Sequence, residues 1–219
     1  ISSASHSPNV PTDNQDLRVI ASLTPTFRPI GSVRLYYRTM FSPEAETPMF
    51  DDGLHQDGLA GDGTFGGTIP ASASNPGQMV RYYIYATDNL GNPSRFPAFD
   101  DPLNSPQYQG TVVANPAHTN AVPVFHMFVQ DPVMATNYIG TRCSIFYEGE
   151  FYDNVAVNLH GQTTAFVFGK RSMDIDMNRG YTFGWKEGEP PVNDFVLLTP
   201  IADKAYVRQI MAYETFAKA

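Results

Sequence analysis

Aspartate–glycine pairs recur at five-residue intervals, at Asp52, Asp57 and Asp62, in the stretch Asp51-Asp52-Gly53-Leu54-His55-Gln56-Asp57-Gly58-Leu59-Ala60-Gly61-Asp62-Gly63. The chemistry open to Asp51, Asp52, Asp57 and Asp62 is capture of a hard cation. Calcium takes several carboxylate and carbonyl oxygens around one point, and glycine lets a chain fold tightly enough to deliver them. The spacing is not that of an EF-hand. The same pairs are also tight-turn signals, in which aspartate caps its own turn without metal. Both readings stand, turns alone or turns plus Ca2+. His55 reads as a surface turn residue, because calcium prefers oxygen.

A second carboxylate draws attention by its place on a helix. Residues Asp203 to Ala219 are the one stretch that reads as helical, with Asp203 as N-cap and no proline or glycine after it. At about 100° per residue, Val207, Ile210, Met211 and Glu214 fall on one stripe. A carboxylate facing protein there wants a cationic partner. A buried face centred on Tyr206, Ile210, Tyr213 and Ala217 would instead leave Glu214 at its border, paired with Lys218. Periodicity does not choose between them.

The elements that would position these residues are mostly strands. Leu17–Leu23, Val33–Arg38, Thr64–Ile69, Met79–Thr87 and Tyr108–Val113 alternate between apolar and polar side chains with turn signals between them. In the fourth, Val80, Tyr82, Ile84 and Ala86 share one face, and Arg81, Tyr83, Tyr85 and Thr87 the other. This spacing predicts an antiparallel β-sandwich of immunoglobulin or fibronectin type III style over residues 16–114. Polar residues 1–15 read as a linker, and Pro- and Asn-rich residues 115–121 as another. Beyond them, Val122–Val129, Cys143–Tyr147, Phe151–Leu159, Ser172–Met177 and Asp194–Leu198 read as strands.

Composition narrows the function. The 219 residues carry a formal net charge of −8, which argues against nucleic acid, whose binding rests on Lys and Arg. The single cysteine, Cys143, excludes an internal disulfide and reads as a buried thiol. No segment approaches the ~20 apolar residues of a membrane span. The five histidines are scattered, and no P-loop, nucleophile elbow, Cys-x-x-Cys or His-Glu-x-x-His is present. Few charges with many Tyr, Asn and Thr suit an extracellular or cell-surface bacterial protein.

Four short motifs occur in order: His160-Gly161-Gln162-Thr163-Thr164, Lys170-Arg171-Ser172-Met173-Asp174-Ile175-Asp176, Val196-Leu197-Leu198 with Asp203, and Val207-Arg208-Gln209 running to Ala212-Tyr213-Glu214. Together they resemble the opening of the CotH family, spore-coat-type atypical protein kinases. The family pattern runs R-G-x-S-S, K-K-S-Y-x-I-x-F, W-V-L-L-x-x-x-x-D, L-R-N-x-x-A-Y-E. The resemblance implies a truncated α+β kinase-like N-lobe over residues 122–219, in a chain that is mainly β. It implies that Lys170 anchors nucleotide phosphates, that Glu214 orients Lys170, and that Gly161, Thr163 and Thr164 approach the phosphates. It further implies ATP with Mg2+ or Mn2+ only in a complete kinase domain, so residues 1–219 alone are not expected to catalyse phosphoryl transfer. Departures are His160 for arginine, Arg171 for the second lysine, and Asp174 and Asp176 for usual lysines. Those two carboxylates read as exposed groups on an edge strand that discourage further pairing. The rival reading is a non-catalytic structural or adhesive component that meets other surface or coat proteins. Tyr36, Tyr37, Tyr82, Tyr83 and Tyr85 could stack on sugars or pack the sheet.

Overall fold

A computed structural model describes residues 1–118, 123–161 and 171–199, together with Met211 and Thr215. Lys170, Thr163, Thr164, Glu214 and most of the expected helix lie outside the described residues. Among the described residues the chain is mainly β, in three antiparallel sheets, with helix limited to single turns at Ala71–Ala73 and Met134–Thr136 and to Met211 and Thr215. They therefore give the α+β part of the expected fold no support.

The strands are β1 (Ser3–Ser7), β2 (Leu17–Ser22), β3 (Ile30–Thr39), β4 (Ala45–Pro48), β5 (Thr64–Ile69), β6 (Met79–Asp88), β7 (Pro93–Phe96), β8 (Gln109–Val112), β9 (His126–Val129), β10 (Thr141–Tyr147), β11 (Glu150–His160), β12 (Ser172–Asp176) and β13 (Asp194–Leu197). One sheet has the order β1-β2-β5. A second runs β4-β3-β6-β7, with β8 also pairing β6, and a third runs β13-β12-β11-β10-β9.

Contacts divide the chain into two compact units, one of residues Ile1–Phe128 with Cys143–Val155, the other of Val129–Arg142 with Ala156–Ala219. The first is a sandwich built on period-two alternation. Leu17, Val19 and Ala21 from β2 meet Val33 and Leu35 from β3 and Val80, Tyr82, Ile84 and Ala86 from β6. The stretch Cys143–Val155, which follows the expected 115–121 linker in sequence, belongs to this unit. In the second unit Ala156–His160 of β11 pairs with Ser172–Asp176 of β12, which pairs in turn with β13.

Three strands lacked a sequence signal. Ser3–Ser7 sits in what reads as a linker but pairs with β2 from Ser3↔Ser22 to Ser7↔Arg18. Its backbone is fastened by His6, whose Nδ1 lies 2.9 Å from the Tyr82 hydroxyl, which donates to Gln109 Oε1 at 3.0 Å. Burial pushes His6 down and Tyr82 up, so both stay neutral at pH 7. The short β4 and β7 carry Pro48 and Pro93 and lie at the two ends of their sheet order, where a missing N–H is tolerated.

Leu35 is fully buried at the centre of the sandwich. Leu35→Ala is expected to cost about 2–5 kcal/mol, read as a lower urea midpoint at unchanged m-value.

Candidate functional site

The aspartate–glycine segment joins β4 to β5 as a loop folded on its own carboxylates. Asp57, 1 % exposed, accepts from the backbone N–H groups of Asp52 (2.7 Å) and Gly53 (3.0 Å) through Oδ2, and of His55 (2.9 Å) through Oδ1. Asp51 accepts from Gly61 (2.7 Å), Asp62 (3.2 Å) and Gly63 (2.9 Å). Asp62 accepts from Leu59 (3.0 Å) and Thr64 (2.8 Å), and Asp52 Oδ1 from Leu54 (2.9 Å). The loop lies tight on β5: a Cβ at Gly66 would stand 2.4 Å from the His55 carbonyl oxygen. His55 stacks on Phe50 and places Nδ1 2.8 Å from Asp52 Oδ1.

These bonds explain the acidity of the loop. The His55 side chain, then the Leu54 N–H, hold Asp52 below the ordinary carboxylate value. Burial pushes Asp57 up, but the surrounding N–H groups outweigh it and leave it lowered. The Leu59 and Thr64 N–H groups lower Asp62. Calcium needs carboxylate oxygens converging on a common centre. Here both oxygens of Asp51, Asp57 and Asp62 face N–H donors, and among the described residues no three acidic, His or Cys side chains form a ligand group. The arrangement fits turn bracing.

Of the residues tied to phosphate binding, Gly161 is described, with φ of 93° and its carbonyl accepting from the Tyr138 hydroxyl at 2.7 Å. His160 at the end of β11 bonds through Nδ1 to Asp174 Oδ1 at 2.7 Å. Asp174 is not on an edge strand, since β12 lies between β11 and β13. The registers His160↔Ser172, Asn158↔Asp174, Asp174↔Val196 and Asp176↔Asp194 put His160, Asp174, Asp176 and Asp194 on one face. That face is acidic.

Sequence reading missed a buried, charged cluster of the first unit centred on Asp153. Asp153 is 4 % exposed and accepts from Ser144 Oγ (2.6 Å), Gln107 N (3.1 Å), Tyr108 N (2.9 Å) and Arg81 Nη1 (3.4 Å). Arg81 also donates to the Met40 carbonyl at 2.7 Å, and its guanidinium lies 4.7 Å from the ring centres of both Phe41 and Tyr108. Burial pulls Arg81 down and Asp153 pushes it back up. The signal was present: Asp153, Val155, Val157 and Leu159 all fall on the buried face of β11.

The tyrosines of β3 and β6 are self-packed. Tyr36 stacks on Tyr83 at 5.0 Å, the Arg95 guanidinium lies 4.0 Å from the Tyr83 ring centre, and Tyr82 is core. This favours packing over sugar stacking.

Asp153→Ala strips the partner from a buried arginine and is expected to cost about 3–5 kcal/mol in chemical denaturation. In Arg81→Met with Asp153→Leu, which removes both charges together, most of that loss is expected to return. In the loop, native carboxyl values lie below the ordinary ~3.9, so the stability they add is complete above that value and lost as pH falls through the lowered ones. Asp57→Asn is expected to lower the melting temperature at pH 7 and to flatten the fall below about pH 4, measured by melting at stepped pH.

A family model described as the conditioned medium factor second Ig-like domain matches residues 39–94. That match runs from β4 into the start of β7 and agrees with the sandwich: the chain contains an Ig-like module. No curated protein matches the chain. Among solved structures it is similar to a cycloalternan-degrading enzyme from Trueperella pyogenes, at 12 % identity and a TM-score of 0.32, over 72 % of this chain. The match spans 18 % of that enzyme's length.

Proposed function

We propose that this chain is a structural, non-catalytic part of a secreted or cell-surface bacterial protein. In this reading an immunoglobulin/fibronectin III-like sandwich precedes a region derived from the opening of a CotH-like kinase fold. The whole serves as a scaffold that meets other surface or coat proteins.

The observation that carries the reading is the state of His160. Kinase chemistry surrounds nucleotide phosphates with cations. Where the resembling family has arginine, this chain has a histidine bonded to Asp174, on a face that also carries Asp176 and Asp194. Such a face repels phosphate rather than drawing it in. The half-exposed His160–Asp174 pair suits a sheet-surface clasp worth about 0–1 kcal/mol. Calcium plays no part in the proposal, since the loop carboxylates are taken up by backbone N–H groups.

Nucleotide titration separates scaffold from kinase. A ligand that binds the native state raises stability by RT ln(1 + [L]/Kd), so ATP at about 100 Kd adds about 2.7 kcal/mol. The expected result is no rise in melting temperature with millimolar ATP and Mg2+ or Mn2+. A rise of several degrees that Lys170→Ala abolishes would overturn the scaffold reading in favour of a nucleotide-binding one.

A further inference from the structure

Four of the most exposed large apolar side chains stand on three neighbouring loops of the sandwich. Phe27 is 99 % exposed, Leu54 83 %, Leu59 78 % and Leu90 65 %. Phe27 lies between β2 and β3, Leu54 and Leu59 in the aspartate loop between β4 and β5, and Leu90 in the turn between β6 and β7. Backbone bonds tie these loops together at one end. Leu23 N–H donates to the Gly63 carbonyl at 2.8 Å, and Asn89 N–H to the Pro29 carbonyl at 3.1 Å. Away from that end, Arg18 near the start of β2 donates to Gln56 Oε1 at 2.6 Å.

The tips are held rather than loose. Leu54 and Leu59 donate their own N–H groups to Asp52 and Asp62, and Leu90 donates to Asp88 Oδ1 at 2.8 Å. Leu54, Leu59 and Leu90 thus ride on aspartate-braced turns, which lowers the entropy lost on docking. In or beside these loops, Asp51, Asp52, Asp57, Asp62 and Asp88 outnumber Arg28. We propose that this loop end is a docking surface for a protein partner whose apolar sockets are bordered by lysine or arginine.

Charge and rigidity select that occupant. A second copy of the same end would bring carboxylates against carboxylates, and an anionic lipid surface would meet the same repulsion. A fluid bilayer needs no fixed spacing between knobs, whereas a folded partner with preformed sockets does. The aspartates steer a basic rim toward the tips and set a salt-dependent association rate.

The test measures binding of the full chain to an amphipathic leucine–lysine helical peptide of roughly 15 residues. The same leucine pattern with glutamate, and phosphatidylcholine vesicles, serve as rival probes. The leucine–lysine peptide is expected to bind by fluorescence anisotropy and to weaken with added salt. Phe27→Ser with Leu54→Ser and Leu59→Ser should raise Kd by about tenfold or more. Phe27→Ser with Leu90→Ser, which leaves the aspartate loop unaltered, should show the same direction of loss. Leu103→Ser, at another exposed leucine (73 %), should change nothing. Equal binding by the tip variants and the wild type, equal binding of the glutamate peptide, or tip-dependent binding to the vesicles would overturn the proposal.

Discussion

A carboxylate without water must be bonded on every side, and Asp153 meets that demand with donors drawn from distant parts of the first unit. Its oxygens collect a serine hydroxyl, two successive backbone N–H groups ahead of β8 and the guanidinium of Arg81 on β6. Those donors come from segments far apart in sequence, so the group is satisfied only when all of them are in place. Hydrogen bonds to a charged group contribute about 1.5–3 kcal/mol each in net terms, and an unmade one costs comparably. The hairpin of β10 and β11 is thereby tied into the sandwich at Cys143–Val155. Neighbouring contacts share the load: Asn154 Nδ2 donates to the carbonyls of Pro102 and Ser105, and Phe151 lies over Gly110, where a Cβ would stand 2.8 Å from its ring.

The aspartate loop uses the same physics at the surface. Four carboxylates turn inward onto backbone N–H groups, replacing the bonds that a regular strand pair would have made. The result is a long connection with the order of a secondary element. Apolar side chains are then free to point outward from a braced base. The sandwich core holds the strands, and the carboxylates hold the loops.

Much of this was legible in the sequence, and the failures have physical causes. β2, β3, β5 and β6 announced themselves because each has one buried face, which forces the two-residue alternation seen at Val80, Tyr82, Ile84 and Ala86. β1 carried no such pattern: its Ser-Ala-Ser-His-Ser run is held by backbone pairing and by His6, which sequence periodicity cannot see. The loop's dependence on Asp51, Asp52, Asp57 and Asp62 was visible, but carboxylates that brace turns and carboxylates that hold calcium share one spacing, and only the direction of the oxygens separates them. Asp153 could have been found, because a charged residue in step with Val155, Val157 and Leu159 has to be either paired or misplaced. Asp174 was misread as an edge group although Asp194–Leu198 read as a strand, because alternation within a strand does not show which strands pair. Lys170 and Glu214, expected to serve phosphate binding, stand outside what the structure describes, and the reading of that region rests on His160 and its acidic face.

The central claim is that Asp153 makes the Cys143–Val155 hairpin and the sandwich one cooperative unit. Native-state hydrogen exchange at the Gln107 and Tyr108 amides tests it most directly, since both donate to Asp153. The account predicts exchange only through global unfolding, with the same opening free energy as the β3 and β6 amides, and a selective loss of that protection in Asp153→Asn. Exchange at those two amides far faster than in β3 and β6 in the wild-type chain, or protection unchanged in the variant, would contradict it.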